Sequence, residues 1–241
     1  MNIREIVNEC NGYLPIKCYD KIFNIAKNIK EGIIVEVGTA HAASSIIMSK
    51  SNSNIKIYTI DKIYGGSIES RFGSYDRNKE IINDNLNKFN ANNVTFLPYD
   101  SISAASYIKE KDISLLFLDA DGMIDRDLKL FLPKMKIGSK IIIDDYSNKA
   151  KLKRIKKLNV KVDLKHKLTF ELTNLFIKEN LLKIESKCNE TIFCELVSKI
   201  DLEKINDKIL NAYKKIVFSE GKLQLGIKNI FSIKRLILNK L

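Results

Sequence analysis

The sequence predicts an α/β protein built on a doubly wound, mostly parallel sheet. Short runs rich in Ile, Val and Leu recur along the first part of the chain, and segments of helical composition separate them. Strands that alternate with helices form parallel sheets. The length of 241 residues suits one large domain, and no Gly/Ser/Pro-rich linker marks off a second one.

The elements are predicted in order from these patterns. The strand runs are Ile33–Val37, Ile55–Ile60, Val94–Leu97, Ile113–Leu118 and Lys140–Ile143. The helical segments between them are Ala42–Ser49, Asp76–Phe89, Ser103–Glu110 and Arg126–Met135. An amphipathic helix, Pro15–Lys30, precedes the first strand and ends at Gly32. Later in the chain, Leu168–Ile177 and Thr191–Val197 have the composition of strands and Asp201–Phe218 that of a helix.

These elements divide the chain into a helical cap at residues 1–32, a main domain at 33–200 and a basic helical extension at 201–241 of the same domain. No uncharged apolar run is long enough to cross a membrane, and the N-terminus lacks the apolar core of a signal peptide. We therefore expect a cytoplasmic protein. The four cysteines match no metal or redox spacing and are expected to be reduced and structural: Cys10, Cys18, Cys188 and Cys194.

The net charge of +12 lies entirely after Asp145. Clustered positive charge attracts polyanions, although a general preference for lysine explains the same excess. The segment Gly221–Leu241 reads as a basic amphipathic helix, which suits a membrane surface, a homodimer arm or packing on its own core. The chain lacks the interleaved aromatic and basic residues of single-strand binding, which argues against nucleic acid as a partner.

Small and acidic residues follow the predicted strands, where doubly wound sheets bind ligands. The first strand leads into Gly38, and the loop Gly38–Ala43 has one glycine only, so it is not a GxGxxG dinucleotide loop. Glu36 sits within that strand, as a ligand contact or as a buried acid that orients the loop. Asp61 ends the second strand at a height suited to ribose hydroxyls, and Asp100 with Ser101 follows the third; either acid is alternatively a helix N-cap.

This set resembles the class I S-adenosylmethionine (SAM) dependent methyltransferases over Ile33–Tyr146. It is most similar to the cation-dependent small-molecule O-methyltransferases, of caffeoyl-CoA, catechol and antibiotic-sugar type, through Leu116–Gly122 and Ile141–Tyr146. The resemblance implies a Rossmann-like seven-stranded sheet whose last strand is antiparallel. It also implies a SAM site formed by Glu36, Gly38, Thr39, Ala40, Ser44, Asp61, Lys62, Asp100, Ser101 and Asp119.

The same resemblance implies that Asp119, Asp144 and Asp145 hold a divalent cation, Mg²⁺ or Mn²⁺, and that Asp119 and Asp145 are catalytic. Carboxylates converging at about 4 Å repel by about 4 kcal/mol per pair, so they need a counter-ion or protonation. Oxygen ligands favour such hard cations. The alternative is that Asp144 and Asp145 end a strand and cap the next helix.

The general base of those enzymes has no counterpart here, because Gly122 and Met123 stand where a Lys or His is expected. Asp145, Tyr146 or the metal would serve instead, or the acceptor would be an amine. His166 is a further candidate to reach the site, although a lone His outside any motif is more often structural. His41 is expected to be a loop or acceptor-side contact. The glycine-rich stretch at 61–75 would form either a lid over the acceptor or a plain surface connection.

We therefore expect methyl transfer to a small-molecule acceptor, such as a sugar or another precursor of surface polymers or natural products. Two alternatives remain. One is an RNA methyltransferase that uses the basic C-terminal half, and the other is a non-enzymatic SAM-fold protein that acts at a membrane surface or in assembly.

Overall fold

A computed structural model describes residues 2–63, 73–149, 151–156 and 159–216. Seven strands form one sheet: β1 (Ile33–Val37), β2 (Lys56–Ile60), β3 (Val94–Leu97), β4 (Ile113–Leu118), β5 (Met135–Ile143), β8 (Leu182–Cys188) and β9 (Thr191–Leu196). Two further strands, β6 (Lys151–Lys156) and β7 (Asn159–Asp163), form a separate antiparallel pair.

The strand order is β3-β2-β1-β4-β5-β9-β8. Strands β1 to β5 are mutually parallel, and β9 runs antiparallel to both of its neighbours. The predicted Rossmann-like sheet with an antiparallel last strand is therefore confirmed. The order reverses between β1 and β4, and ligands bind beyond the carboxyl ends of strands at such a point.

Eight helices cover the described part of the sheet. They are α1 (Ile3–Glu9), α2 (Ile16–Asn28), α3 (Ala43–Ser51), α4 (Tyr75–Lys88), α5 (Ser101–Ala105), α6 (Ile124–Phe131), α7 (Lys165–Lys178) and α8 (206–216). Short 3₁₀ turns at Leu132–Lys134 and Leu202–Ile205 precede β5 and α8.

The core has two halves, one on each face of the sheet. Alternate residues of β1 point into opposite halves, with Val35 in one and Ile34 in the other. Helices α1 to α4 pack in the half that contains Ile34, and α5 to α8 pack in the half that contains Val35. A strand buried on both faces reads as a continuous apolar run, which is why β1 and β4 were recognisable.

One prediction about the second half of the chain fails, and three strands there were not predicted. The segment Leu168–Ile177 is part of helix α7, because its buried residues Thr169, Leu172 and Phe176 recur at helical rather than alternating spacing. Strand β8 and the β6–β7 pair were not predicted. The predicted helix at 201–218 corresponds to a 3₁₀ turn followed by α8, whereas the segment 221–241 and residues 64–72 of the glycine-rich stretch lie outside the described residues.

The prediction that all cysteines are reduced is wrong for Cys18 and Cys188, which form a disulfide between α2 and the end of β8. They are 170 residues apart, so no spacing pattern in the sequence could reveal the pair. Cys10 and Cys194 are free and buried, and burial raises the pKa of the Cys10 thiol to about 11.

No helix in the part of the chain that the structure describes is both long and apolar enough to cross a membrane.

Candidate functional site

The loop after β1 depends on Gly38, which adopts a φ of 108°. A Cβ atom at this position would lie 2.0 Å from the backbone oxygen of Asp119, at the end of the neighbouring strand β4. Only glycine permits this approach, which brings the carboxyl ends of β1 and β4 together. Ala40 and Ala42 follow with φ values of 46° and 69°, so every second residue from Gly38 to Ala42 has a positive φ.

The Glu36 side chain is fully buried directly before this loop. Its carboxylate accepts hydrogen bonds from the hydroxyls of Ser44 and Ser45 at the start of α3, and from Thr59 Oγ1 at 2.7 Å. Burial raises the pKa of Glu36, and these hydrogen bonds oppose the rise. Of the two predicted roles, the structure places Glu36 in that of a buried acid that orients the loop, and Ser44 is its partner.

The Asp61 carboxylate connects the end of β2 to the same loop. Its Oδ2 atom accepts the backbone N–H groups of Thr39 at 3.1 Å and Ala40 at 3.2 Å, and its Oδ1 atom accepts that of Ile63 at 2.9 Å. These hydrogen bonds tie the loop after β1 to the end of β2. A carboxylate oxygen has two lone pairs, so Oδ1 retains capacity for a ribose hydroxyl. The adjacent Lys62 is exposed.

A cavity of about 20 Å³ lies over the loop. The predicted residues that line it are Gly38, Thr39, Ala40, Ser44 and Asp119, and His41 joins them. Its opposite wall is the N-terminal segment 10–14 with Tyr19. Small-molecule sites have volumes of roughly 300–1,000 Å³, so a cofactor would have to displace part of this wall.

Asp100 and Ser101 lie away from the cavity at the end of β3. Asp100 caps α5, because its Oδ1 accepts the N–H of Ser103 at 2.8 Å, and this hydrogen bond lowers the pKa of Asp100. The Ser101 hydroxyl donates to Asp127 Oδ1 at 2.6 Å, and Asp127 also pairs with Arg126 at 2.9 Å. The structure thus supports the N-cap alternative for Asp100 and gives Ser101 a protein partner.

The three aspartates predicted to bind metal converge at the carboxyl ends of β4 and β5. Carboxylate oxygens of Asp119, Asp144 and Asp145 all lie within 4.8 Å of one another. Burial raises the pKa of Asp119 well above its usual range and also raises that of Asp144, which accepts a hydrogen bond from Thr191 Oγ1 at 2.5 Å. Asp145 has a φ of 59°, an unusual value for a non-glycine residue and one that often marks a functional position.

The first turn of α7 adds two side chains to this acidic cluster. Lys165 Nζ lies 2.5 Å from Asp145 Oδ2 and 3.3 Å from Asp119 Oδ1. His166 Nδ1 lies 3.0 Å from Asp145 Oδ1 and 3.3 Å from Glu190 Oε2, at ion-pair distance although without hydrogen-bond geometry. His166 thus lies beside Asp145 of the acidic cluster.

The sequence analysis did not predict Lys165 as a site residue, although Gly122 indicates that another element packs closely against the end of β4. A Cβ atom on Gly122 would lie 2.8 Å from the backbone oxygen of Lys165, so this glycine lets α7 approach the end of β4. Gly122 stands where the resemblance predicted a Lys or His. In the structure, Lys165 brings an ammonium to the same acidic cluster from another element.

A divalent cation fits the oxygen donors but not their present surroundings. Three carboxylates suit Mg²⁺ or Mn²⁺ chemically. The Lys165 ammonium, however, already contacts two of them. Burial lowers the pKa of Lys165, but the neighbouring carboxylates raise it by more, so the net shift is upward and the side chain keeps its charge. Charges of +2 and +1 at about 4 Å repel by about 8 kcal/mol at an effective dielectric of about 20. With Lys165 in place, the residues do not accommodate the metal.

Tyr146, a predicted candidate base, points elsewhere. Its hydroxyl donates to Asn174 Oδ1 at 3.0 Å on α7, and its ring packs against Phe170 at a centroid distance of 4.8 Å. Its role in the described structure is to hold α7 against the end of β5. Of the two residues proposed from the sequence as the base, Asp145 and Tyr146, only Asp145 belongs to the acidic cluster.

Solved structures of methyltransferases share this architecture. An O-methyltransferase from Bacillus cereus in complex with SAH is 15% identical over 81% of this chain and 90% of its own, with a TM-score of 0.56. The chain has the class I methyltransferase fold. The O-methyltransferase TomG from Streptomyces achromogenes, involved in tomaymycin synthesis and solved with SAM, is 11% identical over 82% of this chain and 89% of its own, with a TM-score of 0.58.

The methyltransferase fold does not specify the acceptor. A precorrin-6y C5,15-methyltransferase from Geobacter metallireducens also matches, at 13% identity over 78% of this chain and 90% of its own, with a TM-score of 0.54. No protein-family model and no curated protein sequence match this chain. At these identities the likeness establishes the fold, and the activity has to be argued from the site.

Proposed function

We propose that this protein transfers a methyl group from SAM to a hydroxyl or amine of a small molecule. One observation carries the proposal: four residues of the predicted cofactor loop and Asp119 from the end of β4 line one cavity at the switch point of a methyltransferase sheet. Neighbours of the same fold were solved with SAM and with SAH, which supports this choice of cofactor.

The residues around the cavity have distinct tasks in this proposal. Gly38 keeps the end of β4 close to the loop, and Asp61 holds the loop backbone at Thr39 and Ala40. Bound SAM supplies an electrophilic methyl group, so the protein mainly has to align the acceptor with it and exclude water. The N-terminal segment 10–14 already covers the cavity and is placed to do the latter.

Asp119 marks the acceptor side, because it belongs to both the cavity lining and the acidic cluster. The acceptor loses a proton when it gains a methyl group, and the carboxylates of Asp119 and Asp145 are placed to receive it. Burial raises the pKa of Asp119, which favours its holding a proton. The divalent cation expected from the resemblance is left out of this proposal, because Lys165 already contacts these carboxylates. That the acceptor is a sugar remains a prediction.

Calorimetric titration with SAH tests the cofactor site. We expect the unmodified protein to bind SAH and Asp61→Ala to bind at least about 10-fold more weakly, since a lost charge-assisted hydrogen bond costs about 1.5–3 kcal/mol. Asp61→Ala removes the acceptor of three loop N–H groups together with the proposed ribose contact.

Asp112→Ala is the matched control. Asp112 directly precedes β4, at the end of the strands opposite to the cavity, and pairs with Lys136 on the surface. It should bind SAH as the unmodified protein does. Absence of SAH binding in the unmodified protein, or equal affinity in Asp61→Ala, would contradict the proposed cofactor site.

A further inference from the structure

The acidic cluster of Asp119, Asp144 and Asp145 already contains a cation supplied by the protein itself, the Lys165 ammonium. The Lys165 ammonium lies 2.5 Å from Asp145 and 3.3 Å from Asp119, and its side chain is only 25% exposed. Both aspartates belong to the trio that would ligate a divalent ion. The ammonium therefore contacts two of the three carboxylates on which a metal would depend.

The fold holds this ammonium in place rather than leaving it on a mobile surface side chain. Lys165 is the first residue of α7, and its backbone oxygen packs against Gly122 and accepts a hydrogen bond from Thr169 Oγ1 at 2.9 Å. The next residue, His166, is 6% exposed and lies against Asp145. The position of Lys165 is thus fixed by the packing of α7 on the loop after β4.

We propose that the Lys165 ammonium takes the place of the divalent cation at this cluster, so that the protein does not require a metal. Lys165 acts as a positioning residue that holds the carboxylates of Asp119 and Asp145 next to the cavity. The consequence for methyl transfer rests on the proposed function, whereas the exclusion of metal by Lys165 does not depend on it.

The test measures binding of Mn²⁺ alone, by electron paramagnetic resonance and calorimetry, without cofactor or acceptor. We expect no saturable Mn²⁺ binding below millimolar concentration in the unmodified protein. In Lys165→Met, which keeps the length of the side chain but removes its charge, we expect Mn²⁺ to bind at least about 10-fold more tightly, because three converging carboxylates then lack their counter-ion.

Two control variants separate the charge of Lys165 from general effects. Lys165→Arg keeps the charge and should not bind Mn²⁺. Lys140→Met removes a lysine that also contacts two carboxylates, Glu185 and Glu195, each at 2.7 Å. Those acids are not part of the acidic cluster, so Lys140→Met should not gain an Mn²⁺ site.

Each result decides the proposal. Micromolar Mn²⁺ binding by the unmodified protein would overturn it, and this measurement remains decisive if Lys165→Met fails to fold. A folded Lys165→Met that binds no Mn²⁺ would also overturn it, because Lys165 would then not be what excludes the ion. Loss of SAH binding is measured separately, so failure of the proposed function would be recognised independently.

Discussion

Gly38→Ala should destabilise the protein by about 2–5 kcal/mol and abolish SAH binding in whatever fraction still folds. The added Cβ atom would lie 2.0 Å from the backbone oxygen of Asp119 and 2.6 Å from its carbonyl carbon, so strand β4 would have to shift. Overpacking typically costs 1–3 kcal/mol, and a left-handed backbone costs an alanine about 1–2 kcal/mol. Urea denaturation measures the stability, and titration measures the binding.

Gly138→Ala separates the two costs. Gly138 has a φ of 91°, close to the 108° of Gly38, but a Cβ atom there would meet no heavy atom within 4 Å. This variant should lose only about 1–2 kcal/mol and keep its affinity for SAH. Equal losses of stability in the two variants would show that the close approach of β1 to β4 does not constrain the loop.

The disulfide between Cys18 and Cys188 should supply about 2–5 kcal/mol of stability under oxidising conditions. It closes a loop of 170 residues, and such long loops lose the most conformational entropy when they are cross-linked. Cys18→Ser should therefore unfold at lower urea concentration than the unmodified protein, and a reductant should remove the difference. Denaturation with and without dithiothreitol measures both effects.

Cys10→Ser is the control, because Cys10 is a free cysteine buried in the same half of the core as Cys18. It should retain the full response to reductant. If dithiothreitol left the unfolding of the unmodified protein unchanged, the disulfide would contribute nothing to its stability. In a reducing cytoplasm the two cysteines would be reduced, and this contribution to stability would be absent there.

The first half of the fold could be predicted because local patterns and tertiary burial agree there. Strand β1 occupies the predicted residues 33–37, since a β-branched run between Gly32 and Gly38 leaves little choice of ends. Helix α7 was mistaken for a strand at 168–177, because its apolar and β-branched residues favour strands while its burial follows a helix. There, packing on the sheet overrides local propensity.

The sequence allowed prediction of the site residues that directly follow the predicted strands. Asp119, Asp144 and Asp145 follow β4 and β5, and the parallel sheet brings them together as expected. Lys165 could not be found this way, because it arrives from α7 and pairs with groups 20 or more positions earlier in the chain. The N-cap role of Asp100 was one of the predicted alternatives, because the cap is local to α5. The hydrogen bond from Ser101 to Asp127 was not predictable, since it depends on how α5 and α6 pack.

Hydrogen exchange with and without SAH tests most directly whether the cofactor binds over the loop after β1. We expect SAH to slow exchange in residues 37–46, 59–63 and 10–19, which form or contact the cavity, and to leave residues 132–139 at the start of β5 unchanged. Exchange rates that SAH leaves unchanged, or protection confined to other segments, would contradict the account, because no cofactor would then occupy the switch point of the sheet.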